Sequence, residues 1–130
     1  MNPQQATEAY LAAEVESSDP LHRVVLLHRG LLRALREAKG HVERQEPAAA
    51  HEDFVKAKRI VAHFLASIPE EDEGDLAAHL RGILTFCYQQ ITEANLRKDV
   101  ACAQCAIDAI TPIAEGWAEL EAQQRLPGSA

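Results

Sequence analysis

The stretch from Leu80 to Trp117 constrains this chain more than any other. Leu76, Leu80, Ile83, Cys87, Ile91 and Ala94 recur at spacings of three and four. After a break at Ala94-Asn95-Leu96-Arg97-Lys98-Asp99, the residues Val100, Ala103, Ile107, Ile110, Ala114 and Trp117 do the same. Such spacing lines each set along one face of a helix. Neither stripe can be buried alone, and a break this short forces the second helix back onto the first. Within the break, Asn95 can close one helix in the left-handed conformation and Asp99 can cap the next.

The chain before Leu80 supplies two more helices. Ser17-Ser18-Asp19-Pro20 is a helix start, with Asp19 as cap and Pro20 at the first helical position. The first long helix then runs to about Arg44 with the stripe Val24, Leu27, Leu31, Leu35, Ala38 and Val42, and Gln45-Glu46-Pro47 ends it. The second covers about Ala48 to Ser67, with Phe54, Ala57, Val61, Phe64 and Ile68 in the alternating steps of an antiparallel seam. Pro69-Glu70-Glu71-Asp72-Glu73-Gly74 reads as an acidic turn. The third helix is expected over about Asp75 to Asn95 and the fourth over about Asp99 to Gln123. No period-two strand pattern occurs. The expected fold is all-α: an antiparallel up-down four-helix bundle over 18–123, a short N-terminal arm or helix over 1–17, and a frayed C-terminus over 124–130. Pro112 should kink the fourth helix near Asp108. Gly30, Gly82 and Gly116 lie inside helices, either for close helix packing or to keep a groove wall low.

Composition narrows the function. The 130 residues suit one domain, and 47% apolar content with abundant alanine supports a close-packed helical interior. A formal net charge of −7 argues against binding nucleic acid or an anionic membrane. The N-terminus shows no signal-peptide pattern, and Val24-Val25-Leu26-Leu27 is far too short to span a bilayer. Three cysteines, Cys87, Cys102 and Cys105, read as reduced intracellular thiols, so a cytoplasmic location is expected. Cys102-Ala103-Gln104-Cys105 lacks a second ligand pair, and the six histidines form no Glu-x-x-His motif. No metal, cofactor or small-molecule substrate is expected, and no nucleophile–base pair or phosphate loop suggests an enzyme. Arg29, Arg33, Arg36 and Lys39 form a basic stripe, read as a solvated face paired with Glu37 and nearby acids or as a contact for an acidic partner. An alternative function is a histidine-phosphotransfer-like signalling module using His79 in Ala78-His79-Leu80-Arg81-Gly82, although its glycine follows by three residues instead of four.

Several ordered pieces resemble the flagellar secretion chaperone family, FliS. They are Tyr10 followed by Ser18-Asp19-Pro20, Gly30 in the first helix, Lys56-Ala57-Lys58-Arg59-Ile60-Val61, the hinge residues Ala94, Asn95 and Asp99, and Trp117. Departures from the family pattern are His28 and Arg29, Ile83-Leu84, Phe86-Cys87 and Pro112. The resemblance implies a cytoplasmic export chaperone that binds the disordered C-terminal segment of flagellin. By the same resemblance, the chaperone prevents premature polymerisation and delivers its client to the type III export gate. Apolar residues beside the main stripes (Val25, Leu26, Leu32, Val55, Ile60, Leu65, Leu84, Phe86 and Ile113) must widen the core or face outward, as a helix-in-groove binder requires. The expected client surface is Val24, Leu27, His28, Leu31, Phe64, Ile83, Phe86, Cys87 and Asn95, with Tyr10 as its occluder or as an ordinary packing contact.

Overall fold

The computed structural model describes residues 19–126 and Gln5. The expected N-terminal arm with Tyr10, and the last four residues, lie outside the described residues. Four helices follow in order: α1 (Pro20–Glu43), α2 (Pro47–Ser67), α3 (Asp75–Arg97) and α4 (Val100–Gln124). α1 packs on α2 and α4, and α3 packs on the same two, while the backbones of the diagonal pairs stand farther apart. The result is the expected all-α, up-down four-helix bundle, closed as a square.

The helix ends follow local chemistry. The Asp19 carboxylate accepts the His22 N–H at 3.2 Å, and Pro20 opens α1 where its missing N–H is harmless. Asp99 caps α4 by accepting from the Ala101 N–H at 2.8 Å. The left-handed residue that ends α3 is Lys98 (φ 52°) and not Asn95, which remains helical two residues before the end. Lys98 is held there because its Nζ donates to the Asn95 carbonyl and to Asn95 Oδ1, at 2.6 and 2.7 Å. Gln45 (φ 60°) makes the equivalent turn between α1 and α2. α4 continues through Pro112 as one helix of 25 residues. Pro112 offers no N–H to the Asp108 carbonyl, and Thr111 beside it donates its hydroxyl to the Ile107 carbonyl at 2.7 Å.

The core combines a few large side chains with many small ones. Phe54, Leu31, Leu35, Ile91, Ile110 and Val61 are fully buried. Ala34, Ala38, Ala50, Ala57, Ala94, Ala103, Ala106 and Ala114 fill the spaces between them and let the helices approach closely. Burying Phe54 alone contributes on the order of 2–3 kcal/mol. Of the residues flanking the main stripes, Val25, Leu26, Leu32, Ile60 and Leu84 are buried, Val55, Leu65 and Ile113 half-buried, and Phe86 exposed.

Not every stripe residue reaches the interior: Leu76 is 71% exposed, and Val24, Val42, Ile68, Leu80, Ile83, Val100 and Trp117 are half-buried. The buried positions of α3 are Ala77, Leu84, Cys87, Ile91 and Ala94, which follow a seven-residue repeat. Leu80 keeps that repeat and is half-buried, whereas 76 and 83 lie one row off it, so the first half of α3 turns part of its apolar row outward.

Candidate functional site

The residues expected to form one client surface fall into three places. Leu27, Leu31 and Phe64 belong to the core where α1 meets α2, with half-buried Val24 and buried His28 on the same α1 segment. The His28 ring stacks on Phe64, with centroids 4.3 Å apart and planes inclined by 20°. Its Nδ1–H donates to the Val24 carbonyl at 2.8 Å. Burial pushes the His28 pKa below its ordinary value, and the bond to Val24 opposes that shift without cancelling it. The buried ring is therefore neutral at pH 7.

Ile83, Phe86 and Cys87 lie together on α3, but at different depths. Cys87 is core, and its thiol reaches the Ala106 carbonyl of α4 at 3.7 Å. Burial pushes that thiol up to about 11, so it stays protonated. Ile83 packs against the core edge, and Phe86 is 42% exposed. Asn95 sits near the far pole, where its Nδ2 donates to His51 Nδ1 at 3.0 Å and its Oδ1 accepts from Lys98. This arrangement corrects the expectation of a single surface: Leu27, Leu31 and Cys87 serve the interior, and Asn95 ties α2 to the α3–α4 turn. Tyr10 lies outside the described residues.

A different surface emerges from what stays exposed. The Cys87–Ala106 contact identifies the flanks by which α3 and α4 face each other. Stepping by three and four from Cys87 along α3 reaches Ile83, Leu80 and Leu76, and stepping from Ala106 along α4 reaches Ala109, Ile113 and Leu120. Leu76 and Leu120 are largely exposed, Ile83 and Ile113 half-buried, and Phe86 stands just outside. Gly116 lies on the same flank of α4, and a methyl group added to it would meet nothing within 4 Å. Gly82, on the outer face of α3, is equally open. Neither glycine serves close helix packing. The outer α3–α4 seam is thus an apolar trough with one low wall, continuous over roughly half the bundle. The spacing of Ile113 and Leu120, seven residues apart, carries this signal in the sequence. The long stripe through Ala114 and Trp117 obscures it.

Polar contacts elsewhere are structural. His41 Nδ1 meets Asp53 Oδ2 at 2.5 Å across α1 and α2, and His22 Nδ1 meets Glu121 Oε2 at 2.8 Å across α1 and α4. Glu121 also pairs with Arg125 at 3.4 Å. These partners explain the burial of Asp53 and Glu121. Lys58 lies over the Tyr88 ring at 4.8 Å, covering part of the α2–α3 seam. Among the described residues, no three His, Cys, Asp or Glu side chains converge as a metal site, and no helix is long and apolar enough to cross a membrane.

Comparisons with known proteins agree on one family. The model of the family described as flagellar protein FliS matches residues 2–124. The flagellar secretion chaperone FliS of Salmonella typhimurium strain LT2 is 27% identical over 118 residues, covering 87% of each chain. That of Escherichia coli strain K12 is 27% identical over 120 residues, covering 88% of each. The Vibrio cholerae serotype O1 protein of the same name is 26% identical over 117 residues, covering 87% of this chain and 86% of its own.

Proposed function

We propose a function from one premise: this chain belongs to the flagellar protein FliS family. Its relatives are secretion chaperones, not enzymes, and the chain is an export chaperone that works by binding. The partner is the disordered C-terminal segment of flagellin, bound in the cytoplasm, kept from premature polymerisation and handed to the type III export gate. The segment folds as an amphipathic helix in the outer α3–α4 trough, its apolar face on Ile83, Phe86, Ile113 and Leu120. The exposure of Phe86 and Leu120 beside the open flank at Gly116 carries this reading, because a chain with no partner has little reason to leave large apolar side chains along a seam. His28 and Phe64 support the trough from the α1–α2 side and are not contacts. Residues 1–17 act as an arm that competes with the client.

Calorimetry with a flagellin C-terminal peptide, set against flagellin lacking that segment, tests the proposal. Phe86→Asp and Leu120→Asp should each weaken peptide binding by about tenfold or more while leaving the helical circular-dichroism signal intact. Equal binding of intact and truncated flagellin would remove the flagellin reading, and unchanged affinity in both variants would move the site off this seam. Deleting residues 1–17 should strengthen binding.

A further inference from the structure

Cys102 and Cys105 stand on the first two turns of α4, three residues apart and so one above the other on the helix. Both are free thiols, Cys102 half-buried against the edge of the core and Cys105 exposed. Free cysteine is among the most buried residue types, which makes an exposed one beside a second thiol unusual. The same flank of α4 continues through Ala109, Ile113 and Leu120, so the pair stands on the wall of the outer trough, at the end nearest the α3–α4 turn.

Their own helix leaves the two sulfurs uncovered. Ala101, Ala106 and Ala109, one turn away from them, carry only methyl groups. Gln104 lies between the two cysteines in sequence, but its side chain turns to the other flank. It accepts from Lys39 Nζ of α1 at 2.5 Å and donates to Asp108 Oδ1 at 2.8 Å.

The spacing decides what the pair can hold. Cβ atoms three residues apart on a helix stand about 5–6 Å from each other. A disulfide needs them at about 3.5–4.5 Å, so direct bonding of the sulfurs would distort the start of α4. A bridging ion suits the wider gap: two metal–sulfur bonds of about 2.3 Å, laid end to end, set the sulfurs about 4.6 Å apart. Donor count then narrows the ion. Among the described residues, no third His, Cys, Asp or Glu joins the pair in a metal-binding group. A structural Zn(II) site takes four ligands, and Ca(II) and Mg(II) take oxygen. The lack of a second ligand pair thus excludes a four-coordinate ion but not one held in line between two thiolates. Cu(I) is the ion that soft thiolate sulfur selects in that way.

We propose that Cys102 and Cys105 form a two-coordinate site for Cu(I). Each thiol gives up its proton, and the two sulfurs bind one monovalent ion as a bis-thiolate of net charge −1. Two protons are released and no electron is transferred. The site is built by α4 alone and stands whether or not the trough holds a client.

Competition for Cu(I) tests this on the full chain, reduced and kept free of oxygen. The chain should draw one equivalent of Cu(I) from its coloured complex with bicinchoninate, and native mass spectrometry should show one copper per chain. Cys102→Ser and Cys105→Ser should each weaken Cu(I) binding by about 100-fold or more, because a single thiolate remains. Cys87→Ala, which removes the thiol outside the pair, should keep the full affinity. Zn(II) offered alone should bind far more weakly than Cu(I). An unaltered helical circular-dichroism signal confirms that each variant folds. Failure to draw Cu(I) from bicinchoninate, full affinity in either serine variant, loss of the ion in a folded Cys87→Ala variant, or Zn(II) held as tightly as Cu(I) would overturn the proposal.

Discussion

His28 shows how one side chain can be legible in identity and illegible in role. Its place on the apolar side of α1 is visible in the sequence, but the stack on Phe64 depends on where α2 comes to rest. The structure also gives it a pH signature. Its folded pKa lies below the ordinary value of 6.5, so near and below that value the unfolded chain binds more protons at this site than the native one. The stability contributed by the neutral ring is complete above about pH 7 and falls as the pH drops through 6.5 toward the folded pKa. His28→Phe, which keeps an aromatic ring against Phe64, should flatten that segment of the curve when urea midpoints are compared between pH 5 and 7.5. Gln45 makes a simpler case. Its left-handed conformation costs about 1 kcal/mol in a residue bearing a Cβ, so Gln45→Gly should raise the midpoint of thermal unfolding. The sequence did not mark this position as left-handed, and it marked Asn95 where Lys98 takes that role. Asparagine's intrinsic preference for the conformation lost to a lysine that bonds back to the preceding turn.

At the scale of elements, the helices were readable because their signals agree: caps at Asp19 and Asp99, prolines at Pro20 and Pro47, and stripes of three-and-four spacing. Each observed boundary lies within two residues of the expected one. The fine rotation of a helix about its own axis was less readable. A step of three or four tolerates either of two adjacent rows, and only the facing helix decides which is buried. Leu76, Leu80 and Ile83 formed the more hydrophobic row of α3, yet Leu76 is exposed and Leu80 and Ile83 are half-buried, while Ala77 and Leu84 take the interior. That rotation created the α3–α4 trough and hid it from sequence inspection. Gly116 is the position to probe. Gly116→Ala meets open space and should stabilise the free protein by about 1 kcal/mol through helix propensity. The same substitution should weaken client binding if a backbone passes over that wall. Opposite signs in the two measurements would distinguish a binding glycine from a merely tolerated one.

For the whole molecule, the ring of four seams matters more than any single helix. α1 packs on α4 as well as on α2, and His22, Glu121 and Arg125 fasten that seam near the pole where α1 begins and α4 ends. The two ends of the helical bundle therefore stand side by side. The order in which the chain visits the four corners is separable from the shape it makes. A circularly permuted chain, with a short flexible bridge joining residue 124 to residue 20 and new termini cut within 44–46, keeps every corner and every seam. It should refold to the same bundle, and the α1–α4 seam, which the natural chain closes across nearly its whole length, would become a local hairpin. The α1–α2 seam takes its place as the long-range closure, so the refolding rate should stay within a few-fold of the natural chain's, as stopped-flow refolding would check.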